Sequence, residues 1–207
     1  MRAIDLAGKL IALEGLDYTG KSTVIEILRE RLTRAGHRIV ASREPGGTPV
    51  GEQVRLLLLT LDHAEMLPLS ELLLFMVSRA QHVHEVVLPA LRDGKTVLTS
   101  RYRLSSMAYQ GYGRGIDLSL IRQLNDATTG GRVPDLTVLI DVPVEVALSR
   151  KGDRGDRIER EDNRFYERVR AGYLELTRDD PRACVVDGTR SIEAVAGEIE
   201  NRLREAF

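Results

Sequence analysis

Short apolar segments alternate with longer amphipathic segments along the chain. The short segments are rich in Val, Ile and Leu and are bounded by glycine, proline or polar turn residues, which is typical of buried strands. The segments predicted as strands are Lys9–Glu14, His37–Ser42, Lys95–Ser100, Leu136–Asp141 and Arg182–Asp187.

The amphipathic segments between these strands have helical spacing. The first is Lys21–Arg34, and the second is Gly51–Leu61, with Glu52 and Arg55 expected to face outward. The other predicted helices are Pro68 to about Leu91, two short helices on either side of a Gly111–Gly115 loop with Asp117 capping the second, one from Val144, Glu161 to about Arg178, and one capped by Ser191. This alternation predicts an α/β fold, a five-stranded parallel sheet with helices on both faces, in a single domain over residues 1–207.

The sequence Gly15-Leu16-Asp17-Tyr18-Thr19-Gly20-Lys21-Ser22-Thr23 joins the first strand to the first helix. It matches the phosphate-binding loop (P-loop), in which two glycines separated by four residues precede Lys and Ser. The glycines let the loop curl so that its N–H groups point inward at a helix N-terminus, which favours an anion. We expect residues 15–23 to bind ATP in a P-loop NTPase fold, with Lys21 on the outer phosphates and Ser22 on Mg²⁺.

Bulk composition excludes several function classes. The 207 residues are 43% hydrophobic and 29% charged, with a formal net charge of −1, so no general basicity favours nucleic acid. Cys184 is the only cysteine, and the start of the chain does not resemble a signal peptide. The apolar runs are too short to span a bilayer. We expect a cytoplasmic protein with no membrane or nucleic-acid partner.

Further motifs follow the P-loop in a fixed order. They are Arg43-Glu44-Pro45-Gly46-Gly47-Thr48, Arg101-Tyr102 with Ser105-Ser106 and Ala108-Tyr109-Gln110-Gly111, Gly113-Arg114-Gly115, Pro134-Asp135-Leu136, and Asp156-Arg157-Ile158-Glu159. With this set the chain resembles bacterial thymidylate kinases (dTMP kinases) that carry a basic lid, over nearly its whole length. The resemblance implies ATP-dependent phosphorylation of dTMP to dTDP in dTTP synthesis, with Mg²⁺ as cofactor. The attacking phosphate oxygen is already ionised, so no general base is required.

Cations are needed on both sides of the phosphoryl group that is transferred. Lys21 supplies one from the P-loop. Arg43 and Arg101 end strands, where parallel sheets bind ligands, and the resemblance assigns Arg101, with Arg43, to the monophosphate. Surface ion pairing is the alternative for these two arginines.

The resemblance also assigns the nucleoside pocket. Phe75 stacks on thymine and Arg79, on the same helix face, reaches a base carbonyl; an ordinary core position is the alternative for Phe75. Asp17 accepts the 3′-hydroxyl, and Tyr109 crowds the 2′ position and so excludes ribose. The expected dTMP-binding residues are Asp17, Arg43, Glu44, Phe75, Arg79, Arg101, Ser105, Ser106, Tyr109 and Gln110.

Basic residues are concentrated in a predicted lid at about 150–160, an exposed charged loop. They are Arg150, Lys151, Arg154, Arg157 and Arg160. A charge run is usually a solvated face, but one arginine that closes over the phosphates would complete the site. In the other subtype the basic residue occupies the P-loop position of Tyr18, so here the lid must supply the charge. We expect Arg154 to be catalytic, with Lys21 and Arg101, and Arg150 to lie near the adenine.

Ser100 departs from the family motif, which has Asp before Arg101. That Asp usually helps to organise the magnesium shell, and Ser is a neutral, weaker ligand. Three alternatives follow. Ser100, with Ser22, holds the metal through water; Glu14 or Asp141 replaces it, although Asp141 lies on the less suitable strand; or turnover is impaired.

Other functions compete with dTMP phosphorylation. One is a deoxynucleoside or other pyrimidine monophosphate kinase of the same fold, and another is a catalytically weak nucleotide-binding relative. A GTP-dependent switch is disfavoured because the chain has no Asn-Lys-x-Asp motif. The resemblance further implies a homodimer built from the helices around Gly51–Leu61 and Pro68–Leu91, although the Leu56–Leu59 run could equally be core.

Overall fold

A computed structural model describes residues 4–152 and 155–207. Its centre is a parallel five-stranded sheet in the order β2-β3-β1-β4-β5. The strands are β1 Leu10–Glu14, β2 Ile39–Arg43, β3 Thr96–Ser100, β4 Leu136–Asp141 and β5 Ala183–Asp187. The α/β fold with a five-stranded parallel sheet, predicted from the sequence, is confirmed.

Helices connect the strands. They are α1 Lys21–Arg34, α2 Pro49–Leu59, α3 Pro68–His82, α4 Leu88–Arg92, α5 Arg103–Ser106, α6 Leu118–Thr129, α7 Val144–Ser149, α8 Asn163–Arg178 and α9 Ile192–Ala206. A wide π-helical turn at Val83–Val87 joins α3 to α4, so the predicted long helix is continuous. Asp117 caps α6 and Ser191 caps α9, as predicted. Within the described ranges no helix is long and apolar enough to cross a membrane.

Helices on both faces of the sheet explain why β1 and β3 are buried along their whole length. Helices α1 and α9 cover one face, where Leu28 and Ile199 pack against Leu13 of β1. On the other face Val83 and Val87 pack against Leu10. Because the strands are parallel, their carboxyl ends all lie at one edge of the sheet.

That edge brings separate sequence motifs together. Leu13 of β1 pairs with Ser100 of β3, and Ser100 in turn pairs with Arg43 of β2. The P-loop, which follows Glu14, therefore lies beside the ends of β2 and β3. Strand β4 with Asp141 flanks β1 on the opposite side.

The predicted Gly111–Gly115 loop is largely helical instead. Residues Met107–Gly113 continue α5 as a π-helix. A Cβ on Gly113 would lie 2.6 Å from Phe165 Cε2, and one on Gly111 would lie 2.4 Å from Leu118 Cδ2. These glycines permit close packing of neighbouring elements rather than a turn, so the loop prediction was wrong.

Candidate active site

The P-loop curls because three of its residues have positive φ. Gly15 has φ 139°, and a Cβ there would lie 2.5 Å from the carbonyl oxygen of Ile140. Gly20 has φ 86° at the N-cap of α1, and Tyr18 has φ 63°, a left-handed conformation that is rare outside glycine. Leu16 packs into an apolar cluster beneath the loop. The backbone thus encloses the space in front of the α1 N-terminus.

The Lys21 side chain folds back onto its own loop. Its Nζ lies 3.2 Å from the Gly15 carbonyl oxygen and 3.2 Å from Thr19 Oγ1, and it also donates to the Leu16 carbonyl. Burial, with the charge of Arg101, lowers the pKa of Lys21 to about 7. An anionic ligand would oppose both effects and favour the charged ammonium.

Arg101 donates four side-chain hydrogen bonds at this edge. It has φ 71°, and its Nη2 donates to Asp17 Oδ1 at 2.5 Å and to Tyr109 Oη at 3.0 Å. Its Nη1 donates to Ser105 Oγ and Tyr173 Oη, both at 3.1 Å. Burial opposes ionisation of Asp17, but the nearby cations, Arg101 first, hold the pKa of this carboxyl below its ordinary value. Asp17 is therefore an ionised counter-charge for Arg101.

Two adjoining cavities open at this edge. The inner cavity, about 110 Å³, is lined by Phe75 and by Arg101 with its hydrogen-bond partners Asp17, Ser105 and Tyr109. Eight of the ten expected dTMP-binding residues line it: Asp17, Glu44, Phe75, Arg101, Ser105, Ser106, Tyr109 and Gln110. The loop cavity, about 270 Å³, is lined by P-loop residues: Asp17, Tyr18, Gly20, Lys21, Ser22 and Thr23. The two cavities share Asp17, Glu44, Arg55, Arg101 and Glu159.

Arg79 lines neither cavity. Its side chain is 1% exposed, and its Nε donates to Glu44 Oε2 at 2.7 Å. Its other nitrogens contact Ser106 Oγ at 3.0 Å, Asn125 Oδ1 at 2.5 Å and the Tyr102 carbonyl oxygen at 2.8 Å. In this structure Arg79 holds Glu44 and Ser106, which line the inner cavity. Its contact with a base carbonyl stays a prediction.

The remaining predicted residues have distinct surroundings. Arg43 lines the loop cavity, half exposed, and pairs with Glu52 Oε1 and Oε2 at 2.9 and 3.0 Å. Arg150 Nη2 donates to the Gly188 carbonyl oxygen at 3.1 Å. Arg154 lies outside the described residues.

Arg55 was predicted to face outward, and that prediction was wrong. It lines both cavities, and its Nη1 donates to the Pro45 carbonyl oxygen at 3.1 Å. Burial and the neighbouring Arg43 lower its pKa. The signal was in the spacing: α2 begins directly after the Arg43–Thr48 motif, so its first turns lie at the same sheet edge.

The predicted lid is not an exposed loop throughout. Arg157 and Ile158 are buried, and Arg157 Nη2 lies 2.6 Å from Glu71 Oε2. Asp156, Ile158 and Glu159 line the inner cavity. A count of charges could not reveal this, because Glu71 lies far away in the sequence.

The chemistry at this edge fits a magnesium ion held mainly by substrate phosphates. Ser22 and Ser100 both line the loop cavity, and Ser100 is only 7% exposed. Glu14 is fully buried, and Asp141 is engaged by Arg170 at 2.8 Å through both oxygens. The described part of the chain contains no cluster of three His, Cys, Asp or Glu suited to a metal. Mg²⁺ usually keeps waters and takes few protein ligands, which hydroxyls can provide.

Two cavities that meet at Arg55 and Arg101, with a P-loop at the wall of one, define a class: P-loop kinases that act on small phosphorylated substrates. The family model for thymidylate kinase matches residues 13–199. The chain therefore belongs to the thymidylate kinase family.

Individual relatives agree with this assignment. Thymidylate kinase of Geobacter sp. (strain M21) is 46% identical over 206 residues, covering 95% of this chain and 92% of the relative. That of Kosmotoga olearia is 48% identical over 192 residues, covering 91% and 92%. The crystal structure of thymidylate kinase from Ehrlichia chaffeensis is 36% identical with a TM-score of 0.79, covering 96% of this chain and 99% of that one.

Proposed function

We propose that this protein phosphorylates dTMP to dTDP with ATP as phosphoryl donor. The observation that carries the proposal is the position of Arg101, whose side chain lines both the loop cavity and the inner cavity. A phosphoryl group that passes between the two substrates must cross this boundary. Membership of the thymidylate kinase family supports the assignment of the substrates.

Catalysis then consists of alignment and neutralisation of charge. The P-loop N–H groups and Lys21 bind the triphosphate of ATP. Arg101, with Arg43 and Arg55 beside it, binds the dTMP phosphate. Arg154 is proposed to close over the phosphates from the lid. When bound, Mg²⁺ would neutralise phosphate charge, with Ser22 and Ser100 as its protein ligands.

The inner cavity is proposed to hold the nucleoside. Phe75 offers an aromatic surface for the thymine ring, and Gln110 an amide for its polar edge. Tyr109 Oη donates to Asp17 Oδ2 at 2.9 Å, so these side chains form one rigid wall. That wall would meet the sugar, with Asp17 accepting the 3′-hydroxyl and Tyr109 leaving no room for a 2′-hydroxyl.

The test is ADP release with dTMP, dUMP, dCMP and thymidine as alternative acceptors. We expect kcat/KM to be highest for dTMP, and thymidine to be inactive because it brings no phosphate to Arg101. A faster reaction with thymidine would refute the proposal. A preference for dUMP or dCMP would instead support the related pyrimidine kinase reading.

We also propose a homodimer through α2 and α3. Among the described residues, eight of the ten exposed large hydrophobic side chains lie between positions 50 and 77: Val50, Leu56, Leu57, Leu61, Leu67, Leu69, Leu73 and Val77. Exposed apolar side chains concentrated in one part of the chain mark an interaction site more often than a free surface. Leu58 of the same run is fully buried, so the run contributes to the core as well. A cytoplasmic location stays a prediction from the sequence.

A further inference from the structure

Glu14 is a buried carboxylate directly before the P-loop, yet its contacts point away from that loop. Its Oε1 accepts from the backbone N–H of Tyr102 at 2.8 Å and of Ser105 at 3.3 Å. Its Oε2 accepts from Ser105 Oγ at 2.5 Å and from Tyr173 Oη at 3.2 Å. All these partners lie in the segment after β3 or on α8.

The same two hydroxyl groups contact Arg101. Its Nη1 lies 3.1 Å from both Ser105 Oγ and Tyr173 Oη. A guanidinium can only donate, so each hydroxyl must turn a lone pair toward it. A carboxylate at Glu14 accepts the hydroxyl hydrogen of Ser105. Tyr173 Oη, 2.8 Å from Ser105 Oγ and 3.2 Å from Glu14 Oε2, can then donate to either oxygen, so both hydroxyls keep a lone pair for Arg101.

We propose that Glu14 is a positioning residue for Arg101, acting through the hydroxyls of Ser105 and Tyr173. This inference rests on the proposed function, in which Arg101 binds the dTMP phosphate. Under this proposal each terminal nitrogen of Arg101 is positioned by a carboxylate acting with hydroxyl groups. Asp17, with Tyr109, holds Nη2, and Glu14, with two hydroxyls, holds Nη1.

Electrostatics is consistent with this role. Burial raises the pKa of Glu14, while the Ser105 hydrogen bond and the charges of Arg101 and Arg79 oppose that rise. Contacts with Ser105 and Arg101, the groups that Glu14 organises, therefore offset part of the cost of burying the carboxylate. With these contacts its oxygens are occupied, which favours support of Arg101 over the metal role considered from the sequence.

Glu14→Gln tests the inference because it keeps size and removes charge. If the amide oxygen accepts from the Tyr102 and Ser105 N–H groups, the NH₂ must face the two hydroxyls and compete with Arg101 for their lone pairs. We expect kcat/KM for dTMP to fall about tenfold, the effect of one weakened charged hydrogen bond, with a smaller change in the Kd for ATP. Glu167→Gln, on an exposed position of α8, is the matched control.

A second experiment, in a protein that already carries Arg101→Lys, distinguishes positioning of Arg101 by Glu14 from a general structural role of Glu14. Lysine cannot reproduce the two-sided fork of Arg101. In an Arg101→Lys protein, adding Glu14→Gln should therefore change neither kcat/KM nor the calorimetric Kd for dTMP. A further loss in that background, or ATP binding weakened by Glu14→Gln as much as kcat/KM for dTMP, would overturn the inference.

Tyr173→Phe keeps the inference testable if Glu14→Gln does not fold. It removes one acceptor of Arg101 Nη1 and should lower kcat/KM for dTMP without affecting ATP binding. The control is Tyr112→Phe, because the Tyr112 ring packs on Gly172, the neighbour of Tyr173 on α8. An unchanged Tyr173→Phe enzyme contradicts the inference, whereas a wild-type protein inactive on dTMP contradicts the proposed function itself.

Discussion

At the scale of single residues, Ser100 places a neutral hydroxyl where the sequence resemblance predicts a carboxylate. Ser100 lines the loop cavity beside Lys21 and Ser22. Because Mg²⁺ prefers carboxylate oxygen, Ser100→Asp should lower the half-saturating Mg²⁺ concentration severalfold and raise kcat. Turnover measured across an Mg²⁺ titration tests this. The control is Ser100→Asn, the uncharged isostere of the Asp variant. Equal Mg²⁺ dependence of the Asp and Asn variants would count against a metal role here.

The second prediction at this scale concerns the protonation of Lys21 when ATP binds. Its pKa of about 7 in the free protein leaves it mostly neutral at pH 8. A bound triphosphate favours the ammonium form, so ATP binding at pH 8 should be accompanied by proton uptake, and binding should weaken as pH rises above 7. Calorimetry in buffers of different ionisation enthalpy measures the uptake, and Lys21→Met should abolish it. Proton release on ATP binding would contradict the predicted proton uptake.

At the scale of elements, a buried ion pair fixes the lid to the helices around it. Glu71 of α3 accepts from Arg157 and from Arg114, at 2.6 and 3.0 Å. The Arg157 Nε also donates to the Leu58 carbonyl oxygen at 3.0 Å, at the end of α2. Residues 155–160 are therefore tied to two helices that line the inner cavity.

Arg157→Met should break this attachment. Glu71 keeps Arg114 as a partner, so we expect a loss of about 1–3 kcal/mol of unfolding free energy rather than the full cost of an isolated buried charge. Urea denaturation measures it, and hydrogen exchange should rise in residues 155–160. The control Arg160→Met changes an exposed arginine of the same segment. Equal stability of the two variants would mean that the ion pair contributes little.

The elements also show what the sequence can predict. Periodicity and turn residues located the strands, and the P-loop pattern located the α1 N-terminus, because both signals are local. The buried pairing of Glu71 with Arg157 and the inward position of Arg55 were missed, because they depend on partners brought together only by the fold. The packing role of Gly113 was hidden for the same reason.

At the scale of the whole molecule, α2 and α3 connect two surfaces. Their outward side carries the apolar patch between residues 50 and 77, and their inward side supplies Arg55, Leu59 and Phe75 to the inner cavity. A partner that packs on the outward side would therefore stabilise the cavity wall. Assembly and substrate binding are expected to be coupled through these two helices.

The apolar patch predicts where a single charge would disrupt the proposed dimer. Leu56 and Leu73 are 64% and 45% exposed, so Leu56→Glu and Leu73→Glu should leave the monomer core intact. In a dimer each would bury an unpaired carboxylate, a cost of several kcal/mol that should shift the protein to monomers at micromolar concentration. Sedimentation velocity tests this, with Leu120→Glu on α6, 38% exposed and outside the patch, as the control. A wild-type protein that sediments as a monomer would contradict the interface, and monomeric variants with unchanged KM for dTMP would contradict its coupling to the cavity.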